Sequence, residues 1–127
     1  LQALTPIPLL ADESVFSLED AKKVIAKKAA RYINIKLMKC GGIYQAIKIA
    51  DYAKKHHINC MIGCMIESPI SIAAAAHFAH SASNVTMYDL DAVMLCKSHP
   101  LIDDLQIKKD IISLNSAPGL GVCFSDN

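Results

Sequence analysis

The stretch YINIKLMKCGG, residues 32–42, decides the fold expected for this 127-residue chain. Its first six residues, Tyr32–Leu37, form a short and mostly apolar run, which is typical of a strand buried in a parallel sheet. The glycine pair 41–42 marks a turn. Beyond it, apolar residues recur with helical spacing from Ile43 to His56. The stretch therefore predicts a strand, a turn and a helix that packs back on the strand.

The same unit recurs along the chain. Further strands are predicted at Ile7–Ala11, Cys60–Cys64 and Val85–Leu90. Helices are predicted at Leu18–Arg31, with Ser17 as N-cap, at Ile70–Ser81, after Ser68-Pro69, and as a short piece at Ala92–Leu95. A β-hairpin of Leu105–Lys108 and Ile111–Leu114 around Lys109-Asp110, and a closing loop over 117–121, complete the chain. Four alternating units followed by a short β-tail predict an α/β fold with a parallel sheet and helices outside.

Composition excludes several classes of protein. The chain is 53% hydrophobic, has a mean hydropathy of +0.30 and a net charge of +1, and shows no basic face for nucleic acid. Its five cysteines form no CxxC pair, which favours a reducing, cytoplasmic compartment. We expect no signal peptide, and the apolar runs are too short to span a membrane. Because residue 1 is Leu, we expect a processed chain or a piece of a longer protein.

Polar residues stand where the predicted strands end. Catalytic groups of parallel β/α barrels lie at the carboxyl ends of the strands. Successive candidates are 24, 28 and 25 residues apart, so we expect them at one height around one cavity; they are Asp12, Lys36, Cys64 and Asp89. Each has an ordinary alternative, because Asp12 could simply end a strand, Lys36 could extend to solvent, and Cys64 could be a small core residue. Lys39, past the strand end, is expected in solvent.

Asp89 and Asp91 form a carboxylate pair. Two residues apart on a strand, they would share a face and repel each other unless a metal ion or a substrate ammonium lay between them. The alternative is that Asp91 caps the next helix. Glu67 is expected to cap the helix at Ile70–Ser81, and an ordinary helix face is favoured over a metal site for the histidines at positions 77 and 80.

Several motifs resemble those of the enolase superfamily, muconate-lactonizing subgroup. They are Ala11-Asp12-Glu13-Ser14 and the run Asn34–Lys39 with Gly41-Gly42. The segments 63–68 (GCMIES), Asp89-Leu90-Asp91 and 118–122 (PGLGV) are similar to dipeptide epimerases of the L-Ala-D/L-Glu type. The resemblance implies that residues 1–127 are the C-terminal half of a (β/α)8 barrel, strands five to eight. The N-terminal capping domain and the first half-barrel would be absent.

The resemblance also implies residue roles. Asp12 would be the third carboxylate ligand of Mg²⁺, and Lys36 the acid/base that moves the proton alpha to the substrate carboxylate. Cys64 would touch the substrate, and Asp89 and Asp91 would hold the α-ammonium of a dipeptide. Mg²⁺ would stabilise the enediolate. Burial and Mg²⁺ together are expected to lower the pKa of Lys36.

The second lysine and the first two metal ligands of that family are missing from the chain. We therefore expect the chain alone to be inactive, and expect its open sheet edges to be covered by the N-terminal half or by self-association. Two alternatives remain open. One is another enzyme of the subgroup (o-succinylbenzoate synthase, N-acylamino acid racemase or muconate cycloisomerase); the other is a non-catalytic half-barrel remnant. The sequence leaves the preferred dipeptide and the oligomeric state open.

Overall fold

A parallel sheet of four strands forms the centre of the molecule, as seen in a computed structural model that describes residues 1–98, 101–103 and 105–124. The strands lie side by side in chain order, which confirms the predicted alternation of strands and helices. They are β1 (Leu10–Ala11), β2 (Tyr32–Lys36), β3 (Asn59–Gly63) and β4 (Val85–Asp89). Because every pair is parallel, all four carboxyl ends meet at one edge of the sheet.

Four helices accompany the sheet: α1 (Leu18–Ala26), α2 (Leu37–Cys40), α3 (Ile43–Lys55) and α4 (Pro69–Ser81). Ser17 caps α1 by accepting a hydrogen bond from the backbone N–H of Asp20. The single turn α2 directly continues β2 and ends at Gly41, whose φ of 89° is the left-handed conformation that glycine adopts without strain. Among the described helices, none has the length and apolar character needed to cross a membrane.

The core lies between the sheet and its helices. Residues of β2 alternate between the two faces of the sheet, so Ile33 and Ile35 share one face and Asn34 and Lys36 share the other. The apolar side of the sheet meets small residues of the helices, which let helix and sheet approach closely. Fully buried residues of this core include Ile33, Ile35, Ile49, Ile62, Ile72, Ala21 and Ala46.

Four short strands lie among the described residues of the C-terminal part. The predicted hairpin is confirmed: β6 (Gln106–Lys108) pairs with β7 (Ile111–Ser113) in antiparallel fashion. Lys109 in the connecting turn has a φ of 57°. Separately, β5 (Leu101–Asp103) pairs with β8 (Cys123–Phe124). A 3-10 turn at Ala92–Leu95 follows β4, where a short helical piece was predicted.

Two predicted boundaries are wrong. Strand β1 has only two residues instead of the predicted Ile7–Ala11, since Pro8 has no N–H to donate to a neighbouring strand. Helix α1 ends at Ala26 rather than Arg31. Lys28 takes a left-handed φ of 47°, and the N–H of Ala29 then bonds the carbonyl of Val24, which closes the helix.

Candidate active site

Asp12 is the centre of a charged cluster at the carboxyl edge of the sheet. Its Oδ2 lies 3.1 Å from the Nζ of Lys36, and its Oδ1 lies 2.5 Å from the Nζ of Lys39. Glu13 extends the cluster, because its Oε1 lies 3.3 Å from the Nζ of Lys36. The structure thus brings two of the predicted site residues, Asp12 and Lys36, into direct contact.

Lys39 corrects one expectation. It was predicted to lie in solvent, yet its side chain is only 3% exposed. Its ammonium donates to both the carboxylate and the backbone carbonyl of Asp12, the latter at 2.8 Å, and lies 5.5 Å from the centre of the Phe16 ring. A lysine enters the interior when it gains such partners. Here α2 turns the chain so that Lys39 points back toward β1.

The pKa values of this cluster follow from its ion pairs. Burial alone would raise the pKa of Asp12, but hydrogen bonds from Lys39, Lys36 and Asn34 outweigh it, and the net shift is downward. Burial alone would lower the pKa of Lys36, but hydrogen bonds to Asp12 and Glu13 outweigh that effect and raise it. The expected lowering of the Lys36 pKa included the effect of a nearby Mg²⁺ and stays a prediction; among the described residues alone, the two carboxylate neighbours favour the ammonium form.

The side chain of Asn34 forms a hydrogen bond with Asp12. Asn34 lies on β2 two residues before Lys36, on the same face, and its side chain is 3% exposed. Its amide takes part in the hydrogen bond that lowers the Asp12 pKa. Within the described part of the chain, the Oδ1 of Asn34 is buried without a hydrogen-bond partner. The sequence analysis did not identify Asn34 or Lys39 as site residues. Their spacing from Lys36 was the available signal: Asn34 lies two residues earlier on the strand, and Lys39 lies three residues later, past the strand end.

Strand register places the other candidates. Lys36 pairs with Gly63 of β3, and Gly63 pairs with Asp89 of β4, so Lys36 and Asp89 are level across the sheet. Cys64 follows one residue after that level. Asp12 follows Ala11, which pairs with Ile33, so Asp12 starts below the level of Lys36. The expectation of one common height is therefore correct for Lys36 and Asp89 and wrong for Asp12 and Cys64.

Cys64, Asp89 and Asp91 form a second group. Burial raises the pKa of the Cys64 thiol; a hydrogen bond with the backbone of Ala92 opposes this, and the nearby charges of Asp89 and Asp91 add to it. Both carboxylates are exposed. The prediction that they share a strand face is wrong, because β4 ends at Asp89 and Asp91 has the helical φ of −91° and ψ of −3°. Asp91 occupies the N-cap position of the 3-10 turn without a side-chain capping bond.

A cavity of about 910 Å³ adjoins the second group. It lies between α4, the end of β4 and the β6–β7 hairpin, and is lined by Asp89 and Asp91 together with His77, His80, Tyr88 and Met94. Neither Asp12 nor Lys36 belongs to the described residues that line it. Asp89 and Asp91 therefore face this cavity. Among the described residues, the cavity does not connect them with Asp12 and Lys36.

Glu67 has a different role from the one expected. Its buried carboxylate accepts a hydrogen bond from the backbone N–H of Met65 at 2.7 Å and another from the hydroxyl of Ser71. Ser71 is a side-chain partner in the first turn of α4, and the N-cap Ser68 makes no side-chain capping bond. Glu67 therefore ties the loop after β3 to α4 instead of capping the backbone of the helix.

The donor set for a metal ion is incomplete. Across residues 1–98, 101–103 and 105–124, no group of three or more His, Cys, Asp or Glu side chains is arranged to hold one. Asp12 nevertheless has the chemistry of a Mg²⁺ ligand, since its carboxylate is partly exposed and held in a fixed orientation. A complete octahedral site would need oxygen ligands from beyond the described residues.

This geometry defines a class of protein: an α/β unit that makes up half of a parallel barrel, with acidic and basic groups at the carboxyl ends of its strands. The whole chain, residues 1–127, matches the enolase C-terminal domain-like family. It belongs to that family.

Relatives of known structure or activity agree with the assignment. The chain is 53% identical over 119 residues, 93% of its length, to the L-Ala-D/L-Glu epimerase of Francisella tularensis subsp. novicida. It superimposes with a TM-score of 0.91 and 41% identity, over 95% of its length, on the dipeptide epimerase of Enterococcus faecalis complexed with Mg and L-Leu-L-Tyr. The N-succinyl Arg/Lys racemase of Bacillus cereus gives a TM-score of 0.93 at 35% identity over 98% of the chain.

The chain spans about a third of each of these proteins: 33% of the Francisella epimerase, 35% of the Enterococcus structure and 33% of the Bacillus structure. Its four-stranded parallel sheet thus corresponds to the C-terminal half of their barrels, strands five to eight, and the predicted fold is confirmed.

Proposed function

We propose that this chain is the C-terminal part, residues 1–127, of a Mg²⁺-dependent dipeptide epimerase that inverts the α-carbon of the C-terminal residue of L-Ala-Glu-like dipeptides. One observation carries the proposal: a carboxylate and a lysine, Asp12 and Lys36, lie 3.1 Å apart at the carboxyl ends of adjacent strands. The relatives named epimerases support it. We place the capping domain and the first half-barrel in the part of the longer protein that this chain does not span.

The proposed chemistry is removal of the proton alpha to the substrate carboxylate. Lys36 acts at its Nζ on one face of the α-carbon: it accepts the proton from one epimer, and in the reverse direction it donates a proton to form that epimer. Asp12 serves as one metal ligand. Mg²⁺, when bound, supplies positive charge that stabilises the enediolate. Lys36 must be neutral to accept a proton, so the interactions with Asp12 and Glu13 that raise its pKa have to weaken in the working site.

We assign substrate binding to the second group. Asp89 and Asp91 are exposed carboxylates that line the same cavity, and a dipeptide's α-ammonium is a cation that would relieve the repulsion between two such charges. Cys64 lies near both and would contact the substrate. Inversion also needs an acid/base group on the opposite face of the α-carbon, which we place in the missing half together with further metal ligands.

Exposed apolar surface supports a covering partner. Ile66, Tyr88 and Leu95 are 80%, 63% and 69% exposed, and β1 and β4 are the open edges of the sheet. We infer that the N-terminal half of a longer protein covers these surfaces, or that a second copy of the chain does so. All five thiols are free, which favours a reducing compartment such as the cytoplasm.

The test uses two proteins: this chain alone, and a completed enzyme in which it replaces the corresponding segment of the Francisella epimerase. Epimerisation of L-Ala-L-Glu is followed by the change in optical rotation as L-Ala-D-Glu forms. We expect turnover only in the completed enzyme, and loss of it on Lys36→Met. A folded but inactive completed enzyme would contradict the proposal and favour a non-catalytic remnant. Turnover by the chain alone would contradict the requirement for a partner.

A second candidate is racemisation of N-succinylated amino acids, because the Bacillus cereus racemase is 38% identical over all 127 residues of the chain. An N-succinylated amino acid has no α-ammonium for Asp89 to bind, although its arginine or lysine side chain is cationic. Asp89→Asn in the completed enzyme therefore distinguishes the two: it should raise KM for L-Ala-L-Glu by at least about tenfold, as expected for a lost charge-assisted hydrogen bond. An unchanged KM, with turnover of N-succinyl-arginine, would favour the racemase.

A further inference from the structure

Lys39 holds Asp12 at two points. One ammonium group donates to the carboxylate Oδ1 at 2.5 Å and to the backbone carbonyl of the same residue at 2.8 Å. Because Lys39 binds both the carboxylate and the backbone carbonyl of Asp12, it restricts the side-chain torsions of Asp12: rotation of the carboxylate would break one of the two bonds. Lys39 is 3% exposed, and its Nζ lies 5.5 Å from the Phe16 ring centre, so few waters compete for these bonds.

The two oxygens of Asp12 are divided between two lysines. Lys39 takes Oδ1, while Lys36 lies 3.1 Å from Oδ2. The division follows from local structure: Lys36 is the N-cap of the one-turn helix α2, and Lys39 is three residues later on that turn. A spacing of three residues places both side chains on the same side of a helical turn. Gly41 ends the turn and fixes its length.

We propose that Lys39 is a positioning residue for the proposed reaction, which holds Asp12 by Oδ1 so that Oδ2 keeps a fixed position from which it can bind the metal ion. The inference rests on the proposed function, because it concerns the orientation of the proposed metal ligand. Lys39 itself touches neither the metal nor the substrate in this scheme. Hydrogen-bond partners of metal ligands typically contribute about 10- to 100-fold to metal affinity or activity. Misplacement of a reacting group by about 1 Å has effects of similar size.

The experiment compares Lys39→Met with the parent completed enzyme. Methionine approximates the length of the lysine stem and removes the ammonium. We expect kcat to fall about 10- to 100-fold and Mg²⁺ binding, measured by calorimetry without substrate, to weaken about tenfold. KM for L-Ala-L-Glu should stay within about twofold, since the substrate loses no contact. Lys39→Arg, which keeps the charge and the donors, should restore most of kcat.

Lys55→Met is the matched control. Lys55 is an exposed lysine at the end of α3, so the same substitution there should change neither kcat nor Mg²⁺ binding. Unchanged kcat and Mg²⁺ binding in Lys39→Met would overturn the inference, as would a fall in thermal stability alone. If Lys39→Met does not fold, Lys39→Gln and Lys39→Arg decide: equal kcat in both would overturn it, and a lower kcat in Lys39→Gln would support it.

These outcomes separate the inference from the proposed function. A completed enzyme that binds Mg²⁺ but does not turn over dipeptides would refute the function, while weaker Mg²⁺ binding in Lys39→Met would still support the role of Lys39. A completed enzyme that turns over dipeptides with no effect of Lys39→Met would refute only the inference. Absence of Mg²⁺ binding in the parent would refute the inference directly.

Discussion

Gly63 leaves the space that the side chain of Asn34 occupies. A Cβ added at Gly63 would lie 2.7 Å from the Oδ1 of Asn34 and 2.8 Å from its Nδ2. Carbon atoms do not approach polar side-chain atoms this closely, and Asn34 is buried and tied to Asp12. Gly63 is thus needed because it has no side chain that would displace Asn34. Since Asn34 forms a hydrogen bond with Asp12, the glycine indirectly affects the charged cluster.

Gly63→Ala should therefore destabilise the completed enzyme by about 1–3 kcal/mol, as expected for overpacking a buried site. Thermal or urea unfolding measures the change. The control is the pair Asn34→Ala and Asn34→Ala/Gly63→Ala, in which the clashing amide is gone. Adding Gly63→Ala to Asn34→Ala should change the free energy of unfolding only slightly. An equal cost in both backgrounds would show that Asn34 is not the residue that clashes.

Stability at acid pH should depend on Asp12. Its pKa in the folded chain lies below the usual 3.8, so its contribution is present above 3.8 and is lost as the pH falls through the lower, folded value. We expect Asp12→Asn to reduce the loss of melting temperature between about pH 4 and pH 2. Asp51→Asn, at an exposed site of α3, should leave the curve unchanged. Parallel curves for Asp12→Asn and the parent would contradict the ion-paired geometry.

Lys36 gives the opposite dependence at alkaline pH. Its pKa is raised above the usual 10.5, so its contribution is complete below 10.5 and is lost as the pH rises through the higher, folded value. Lys36→Met should remove that alkaline loss, measured as melting temperature from about pH 9 to pH 12. A parent curve that already declines below pH 9 through this residue would contradict the raised pKa.

The cysteines should differ in reactivity toward iodoacetamide. Burial raises the pKa of Cys60 to about 12, and the residue is fully buried, whereas Cys123 is exposed. Because the thiolate is the reactive form, Cys123 should be alkylated at neutral pH and Cys60 only after unfolding. Mass spectrometry of peptides from folded and urea-treated protein measures the order. Early labelling of Cys60 would contradict its place in the core.

Ile62 should contribute strongly to stability. It lies on β3 and is 0% exposed, so Ile62→Ala leaves a cavity in the core and should lower the free energy of unfolding by about 2–5 kcal/mol. Ile111→Ala is the matched control, because Ile111 is 61% exposed on the hairpin and should change stability by less than about 0.5 kcal/mol. Unfolding in urea measures both. Similar effects at the two positions would contradict the burial pattern.

Much of the fold was predictable because the chain repeats one unit whose apolar residues reveal strand and helix periods. The contact between Asp12 and Lys36 followed from strand ends, since parallel strands bring their carboxyl ends to one edge. The burial of Lys39 did not follow, because a lysine beyond a strand usually faces water, and only the turn of α2 directs it inward. The end of β4 was also not predictable from the pattern. Because Asp91 lies beyond the strand, its two-residue spacing from Asp89 did not place both carboxylates on one strand face.

The charged cluster is also a local assembly along the chain. Its most distant contact joins residues separated by 27 positions, and the Lys36–Glu13 contact spans 23. Bringing together the ends of such short loops costs little chain entropy, and rates of structure formation rise when contacts are local. Everything the cluster needs is present once β1, α1, β2 and α2 have been synthesised. Asp12, Lys36 and Lys39 therefore all leave the ribosome before β4 does, so the ion pairs of the charged cluster can form during translation ahead of the second group, which contains Asp89 and Asp91.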